Sequence, residues 1–101
     1  MDKKWLLEAG DRFPHGATAR TGGVNFSVCS RRATRVWLRL YRGATDPKPL
    51  VEIELDPREH RTYGWWHVFV VGAQPGWYYT WCADGPSDPA AGPRCATRVG
   101  R

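Results

Sequence analysis

Three histidines, His15, His60 and His67, are the residues best suited to acid–base or metal chemistry. They stand far apart, and none sits in an HExxH-type spacing. Ser27, Ser30 and Ser87 occupy no nucleophile elbow, where a strained Gly-x-Ser-x-Gly turn would expose the hydroxyl. The carboxylates fall in turns or alternate along Val51–Leu55, so they form no facing pair of the kind that cleaves a glycosidic bond. Gly22-Gly23 is a strand-entry turn and lacks the spacing of a phosphate cradle. Cys29, Cys82 and Cys95 are odd in number, widely spaced and without a CxxC pair, so the sequence predicts reduced thiols. No catalytic residue, metal or cofactor is expected, and the chain alone is not expected to be an enzyme.

What the sequence does hold in excess is indole: six tryptophans in 101 residues. A flat indole face packs against the axial C–H groups of a pyranose ring, and it fills a small core equally well. Which role each tryptophan takes depends on the elements that carry it.

Those elements read as strands. Gly23–Cys29 alternates apolar with small polar residues, the period of a half-buried strand. Val36, Leu38 and Leu40 share one face of a second strand, with Trp37, Arg39 and Tyr41 on the other. Val51, Ile53 and Leu55 alternate with Glu52 and Glu54. Trp66, Val68 and Val70 form the inner face of a fourth strand, which makes Trp66 a core residue and leaves Trp65 at a strand edge. Trp77, Tyr79 and Trp81 alternate with Tyr78, Thr80 and Cys82 in a fifth, so at least one of Trp77 and Trp81 is expected to be buried. His67, on the face opposite Trp66, is expected to meet solvent or a hydrogen-bond partner. Prolines at 47, 49, 57 and 75 and the glycines beside them break the chain between these runs. From Asp84 onward the chain is rich in Gly, Pro and Ala and reads as coil. Short strands without intervening helices predict an all-β, antiparallel sandwich.

A chain of 101 residues and 11.5 kDa makes one domain and excludes a barrel of roughly 250 residues. Its formal charge is +5, but the twelve arginines are scattered and the longest basic run is Arg31-Arg32, so nucleic acid is not an expected partner. No apolar run approaches the ~18 residues of a membrane helix, so no membrane partner is expected. The opening Met1-Asp2-Lys3-Lys4-Trp5-Leu6-Leu7-Glu8 lacks the apolar stretch of a signal peptide, and the expected compartment is the cytoplasm.

The order of several blocks resembles a known family. His15-Gly16-Ala17-Thr18, then Gly23–Ser30, then Ala33–Leu38 is similar to the opening "lGAt…GvnFavwS…AtrVeL" of isoamylase-type glycogen debranching enzymes. Trp66–Val70, Pro75-Gly76 and Tyr79–Pro86 resemble their "WHvfvpgl.PGqlYgYRvdGP", and Gly92 and Arg94 stand where "G.RfnP" begins. In that family the stretch is a family 48 carbohydrate-binding module, an early-set immunoglobulin-like sandwich placed before an α-amylase-type barrel.

The resemblance implies a noncatalytic N-terminal module of a glycogen or starch debranching hydrolase, with α-1,6 hydrolysis left to the barrel. The module would cover residues 8–94 of a single domain, with 1–7 and 95–101 as flexible ends of a truncated chain. Its implied partners are that catalytic barrel and an α-glucan such as glycogen or a maltooligosaccharide. Trp65, Trp77, Trp81 and Asp84 are the candidate carbohydrate contacts, with Asp84 accepting from sugar hydroxyls, and Trp37 is the candidate for an interdomain face. Three departures stand out. Cys82 replaces the arginine of "YRvdGP", no tryptophan follows Asp84-Gly85, and Cys95–Arg101 replaces the bridge into the barrel. The competing expectation is a protein-interaction sandwich with no sugar ligand.

Overall fold

The computed structural model describes residues 6–43, 45 and 48–84, together with the backbone of 94–99. Among the described residues are nine strands: β1 (Leu7–Glu8), β2 (Gly16–Arg20), β3 (Gly23–Cys29), β4 (Arg35–Tyr41), β5 (Val51–Glu54), β6 (Arg61–Thr62), β7 (Trp65–Val71), β8 (Tyr78–Asp84) and β9 (Arg94–Val99). All pairings are antiparallel. One sheet runs β1-β7-β3-β2, with β6 also on β7, and the other runs β5-β4-β8-β9.

The period-2 patterns set the core. Val24 and Phe26 of β3 and Trp66, Val68 and Val70 of β7 face Val36, Leu38 and Leu40 of β4, Ile53 of β5, and Tyr79 and Trp81 of β8. The pairing Val24↔Val70, Phe26↔Val68, Val28↔Trp66 keeps these six apolar side chains on the core face, as a register fixed by burial must. The sheets meet where Phe26 and Tyr79 pack edge to face, centroids 5.1 Å apart. Trp66 is fully buried, and its indole N–H donates to the Ser30 carbonyl at 3.0 Å, so its one polar atom is satisfied inside the core.

Two sequence expectations are corrected. Residues 94–99, predicted as coil, form β9 along the edge of β8, opposite residues 78–83; 85–93 lie outside the described residues. Cys82, predicted as a reduced thiol, is disulfide-bonded, while Cys29 is free and exposed. The physical reason for both is register: antiparallel pairing sets Cys82 directly across from Cys95, a neighbourhood that sequence spacing alone does not reveal.

Candidate functional site

The outer face of the first sheet is not left to water. Asn25, Ser27 and His67 point away from the core yet are buried, because the segment Ala9–His15 crosses over them as a strap. The Asp11 N–H donates to Asn25 Oδ1 at 2.8 Å, and Asn25 Nδ2 donates to the Asp11 carbonyl at 2.9 Å. The Ser27 hydroxyl donates to the Arg12 carbonyl at 2.6 Å. Because a carbonyl only accepts, His67 Nδ1 is the donor in its 2.7 Å contact with Ala9 O, and its Nε2 lies 2.8 Å from Thr62 Oγ1. The expectation for His67 is met: it is hydrogen-bonded on both ring nitrogens. Gly10 allows the close approach, since a Cβ there would lie 2.6 Å from Asn25 Oδ1 and its φ is +71°.

The strap delivers two rings to Trp65. His15 stacks on the indole with centroids 4.2 Å apart and planes 27° from parallel, and Phe13 lies 5.4 Å from it and 5.0 Å from His15. Arg12 carries its guanidinium 5.3 Å from the Phe13 centroid. Beside this cluster a cleft of about 470 Å³ opens at one end of the sandwich. His15, Cys29 and Trp65 line it together with Gly16, Ser27 and Val28, and Tyr79 and Trp81 form the wall from the opposite sheet.

Of the candidate sugar contacts, the cleft joins Trp65 and Trp81. Their situations differ. Trp65 is half-buried, whereas Trp81 is 6% exposed and belongs to the core, where Tyr79 and Trp66 also lie. Trp77 packs half-buried against that core and does not line the cleft, in keeping with the expectation that one of the pair would be buried. Asp84 ends β8, about 23 Å along the strand from residue 77 at 3.3 Å per residue. Its carbonyl accepts from the Thr34 N–H at 2.7 Å, and by register it faces Arg35.

Trp37 lies outward on β4, as predicted, and is half-buried between two arginine–carboxylate pairs. Arg35 makes a fork to Glu54, both contacts 3.1 Å, and holds its guanidinium 4.6 Å from the Trp37 ring centroid; Arg39 bonds Glu52 at 2.6 Å. The hydrogen bond to Arg35 pulls the Glu54 carboxyl below its usual range.

Neither His15 nor Phe13 was marked as a site residue by the sequence. Their partner lies some fifty residues downstream, so no local spacing announces the contact. Among the described residues, no group of three His, Cys, Asp or Glu is placed to hold a metal, and no helix is long and apolar enough to cross a membrane.

The chain is an all-β sandwich that displays an aromatic cleft between its two sheets. It belongs to the carbohydrate-binding module 48 family (isoamylase N-terminal domain), which matches residues 14–97. Glycogen debranching enzymes from Salmonella typhi and from Salmonella heidelberg are 35% identical over 88 residues; the match takes in 87% of this chain and 12% of theirs. Among solved structures, a mutant pullulanase from Paenibacillus barengoltzii complexed with maltotriose superposes with a TM-score of 0.65 over 88% of this chain and 12% of its own, at 17% identity. That likeness shows the fold. The chain thus spans about an eighth of the length of the relatives it matches.

Proposed function

We propose that this chain serves a debranching glycoside hydrolase as its α-glucan-docking module, with α-1,6 hydrolysis carried out by a catalytic barrel of the parent enzyme. The single observation that carries the sugar-binding part is the His15–Trp65 stack at the mouth of the cleft, in a member of a carbohydrate-binding family. The related glycogen debranching enzymes by their names, and the pullulanase by its bound maltotriose, point to α-linked glucose as the ligand class. In this reading Trp65 offers a ring face to one glucose unit, and Trp81 and Tyr79 close the back wall. Trp77 and Asp84, outside the cleft, would contribute only through a second contact region.

Native electrophoresis through gels containing glycogen, amylose or dextran tests the proposal. Retardation by the first two but not by dextran is expected, and Trp65→Ala should abolish most of it. Unretarded migration in all three gels would reject glucan docking. That result would favour the second reading, a packing module without a sugar ligand, which Trp37 between its two arginine–carboxylate pairs supports as a face for a partner domain.

The compartment is proposed to be the cytoplasm, as the sequence suggested. The disulfide at Cys82 argues the other way, because a reducing cytosol disfavours such a bond. Labelling of thiols in freshly lysed cells decides between them: a free Cys82 supports the cytoplasm, and a protected one an oxidising compartment.

A further inference from the structure

β6 and β7 are joined by a two-residue hairpin loop, Tyr63-Gly64, since Thr62 pairs with Trp65. Tyr63 has φ +56°, a left-handed conformation that glycine, asparagine or aspartate adopts with little strain and a bulky aromatic residue does not. The ring recovers none of that cost by packing, for Tyr63 is 86% exposed, the highest value among the exposed large hydrophobic residues.

The backbone beneath it is braced from two sides. Arg61 Nε donates to the Tyr63 carbonyl at 2.8 Å and its Nη2 to the Arg31 carbonyl at 3.1 Å. The Ser30 N–H donates to the Gly64 carbonyl at 2.8 Å. Arg31 lies against Gly64 so closely that a Cβ there would come within 2.6 Å of its Cγ. A strained residue persists only where its surroundings over-determine it, and such residues concentrate at binding sites. Here the surroundings hold the tip rigid while leaving the ring bare.

Resting on the glucan-docking function above, we infer that Tyr63 is a second sugar-stacking platform, contiguous with the Trp65 cleft, and that Arg31 supplies hydrogen bonds to the hydroxyls of the ring bound there. Residues 63 and 65 are at most about 7 Å apart along the backbone, so the two aromatic positions are close enough for one oligosaccharide chain to span both. A tyrosine face suits the C–H face of a pyranose, and a guanidinium with five donors suits its hydroxyls. Preformed on a rigid hairpin, the platform binds without the ordering cost a mobile loop would incur.

Maltoheptaose titrated by calorimetry into the parent chain, Tyr63→Gly, Tyr63→Phe and Trp65→Ala, each with a thermal melt, tests this. Tyr63→Gly removes the ring and the backbone strain together, so it should melt close to the parent. It is expected to bind about three- to tenfold more weakly, while Tyr63→Phe keeps parental affinity. Tyr63→Gly binding like the parent while Trp65→Ala is weakened would overturn the Tyr63 platform and leave the cleft standing. If neither substitution matters to a parent that binds, both positions are wrong. A parent that does not bind maltoheptaose removes the docking function itself, and the platform with it. Should Tyr63→Gly fail to fold, Tyr63→Asn carries the same comparison.

Discussion

His15 lies flat on Trp65, ring centroids 4.2 Å apart, although fifty residues of chain separate them. The contact exists because the strap from Ala9 to His15 is fastened to side chains on the outside of β3 and β7, and the aromatic end of the strap lands on the first residue of β7. The proposed sugar platform is therefore built by a polar latch, and disturbing the latch should disturb glucan binding without touching the core.

Asn25 is the centre of that latch. Fully buried, it makes two hydrogen bonds to the backbone of Asp11, both within 2.9 Å. Asn25→Ala leaves the Asp11 N–H and carbonyl without these partners, a loss of about 1–3 kcal/mol. The expected result is a lower melting temperature with an intact far-ultraviolet β signature, a red-shifted tryptophan emission as Trp65 is uncovered, and weaker retardation by glycogen. Unchanged emission would show that the strap stays seated without Asn25.

The stack itself can be tested with less disruption. His15 is exposed, so His15→Ala should leave the melting temperature nearly unchanged while weakening glycogen retardation by about threefold, the size of one lost ring contact. Equal retardation of His15→Ala and the parent would assign the platform to Trp65 alone.

Trp66 represents the opposite case. It is 0% exposed, hydrogen-bonded through its indole and covered by the Arg61 guanidinium at 4.8 Å. Trp66→Ala should cost about 3–5 kcal/mol, enough to unfold so small a domain. Urea denaturation measures it, and a midpoint near the parent's would contradict the core position.

The five strands with clean alternation were legible in the sequence because burial on one face imposes a period of two, and Val24, Phe26, Trp66, Val68 and Val70 all obey it. Trp37 facing out and Trp66 facing in follow from that period alone. The strands β1 and β6, two residues each, carry no period to detect. β9 follows a stretch rich in glycine and proline, and it becomes a strand because β8 offers it an edge. The latch was hidden for another reason. Asn25, Ser27 and His67 alternate with apolar residues just as solvent-facing residues would, and only the strap laid over them turns a wet face into a buried one. Of the candidate site, Trp65 could be singled out from the sequence, but its partners His15 and Phe13 could not.

Cysteine chemistry offers a direct check on the corrected thiol expectation. With Cys82 bonded and Cys29 free and exposed, alkylation in denaturant should modify Cys29 without reductant and Cys82 only once reductant is added. Cys82→Ser should lower stability by about 3 kcal/mol, the chain-entropy value for a loop near the length between strands β8 and β9. Modification of all three without reductant would show that the bond is absent in solution.

Acid should destabilise the fold through His60. His60 is buried at the end of the β5–β6 connection, where its Nδ1 accepts the Asp56 N–H at 2.9 Å, and its own N–H and carbonyl bond Asp56 O and the His67 N–H. Desolvation pushes its pKa below the ordinary histidine value, against the opposing pull of Glu59 and Asp56 and with a small contribution from His67. A ring acting as an acceptor loses that bond on protonation, so geometry and burial agree. Because the unfolded chain binds the proton more readily, stability is complete above the unfolded pKa of about 6.5 and declines as pH falls from there toward the folded pKa. The Arg35–Glu54 pair acts later: Glu54, depressed in the folded state, gives up its contribution only as pH falls below the usual carboxylate range, and its exposure keeps that contribution small. Melting temperatures measured from pH 8 to 5 should therefore fall in the parent and fall less in His60→Asn, whose amide oxygen can still accept from Asp56. Parallel curves for the two proteins would place the acid sensitivity at another group.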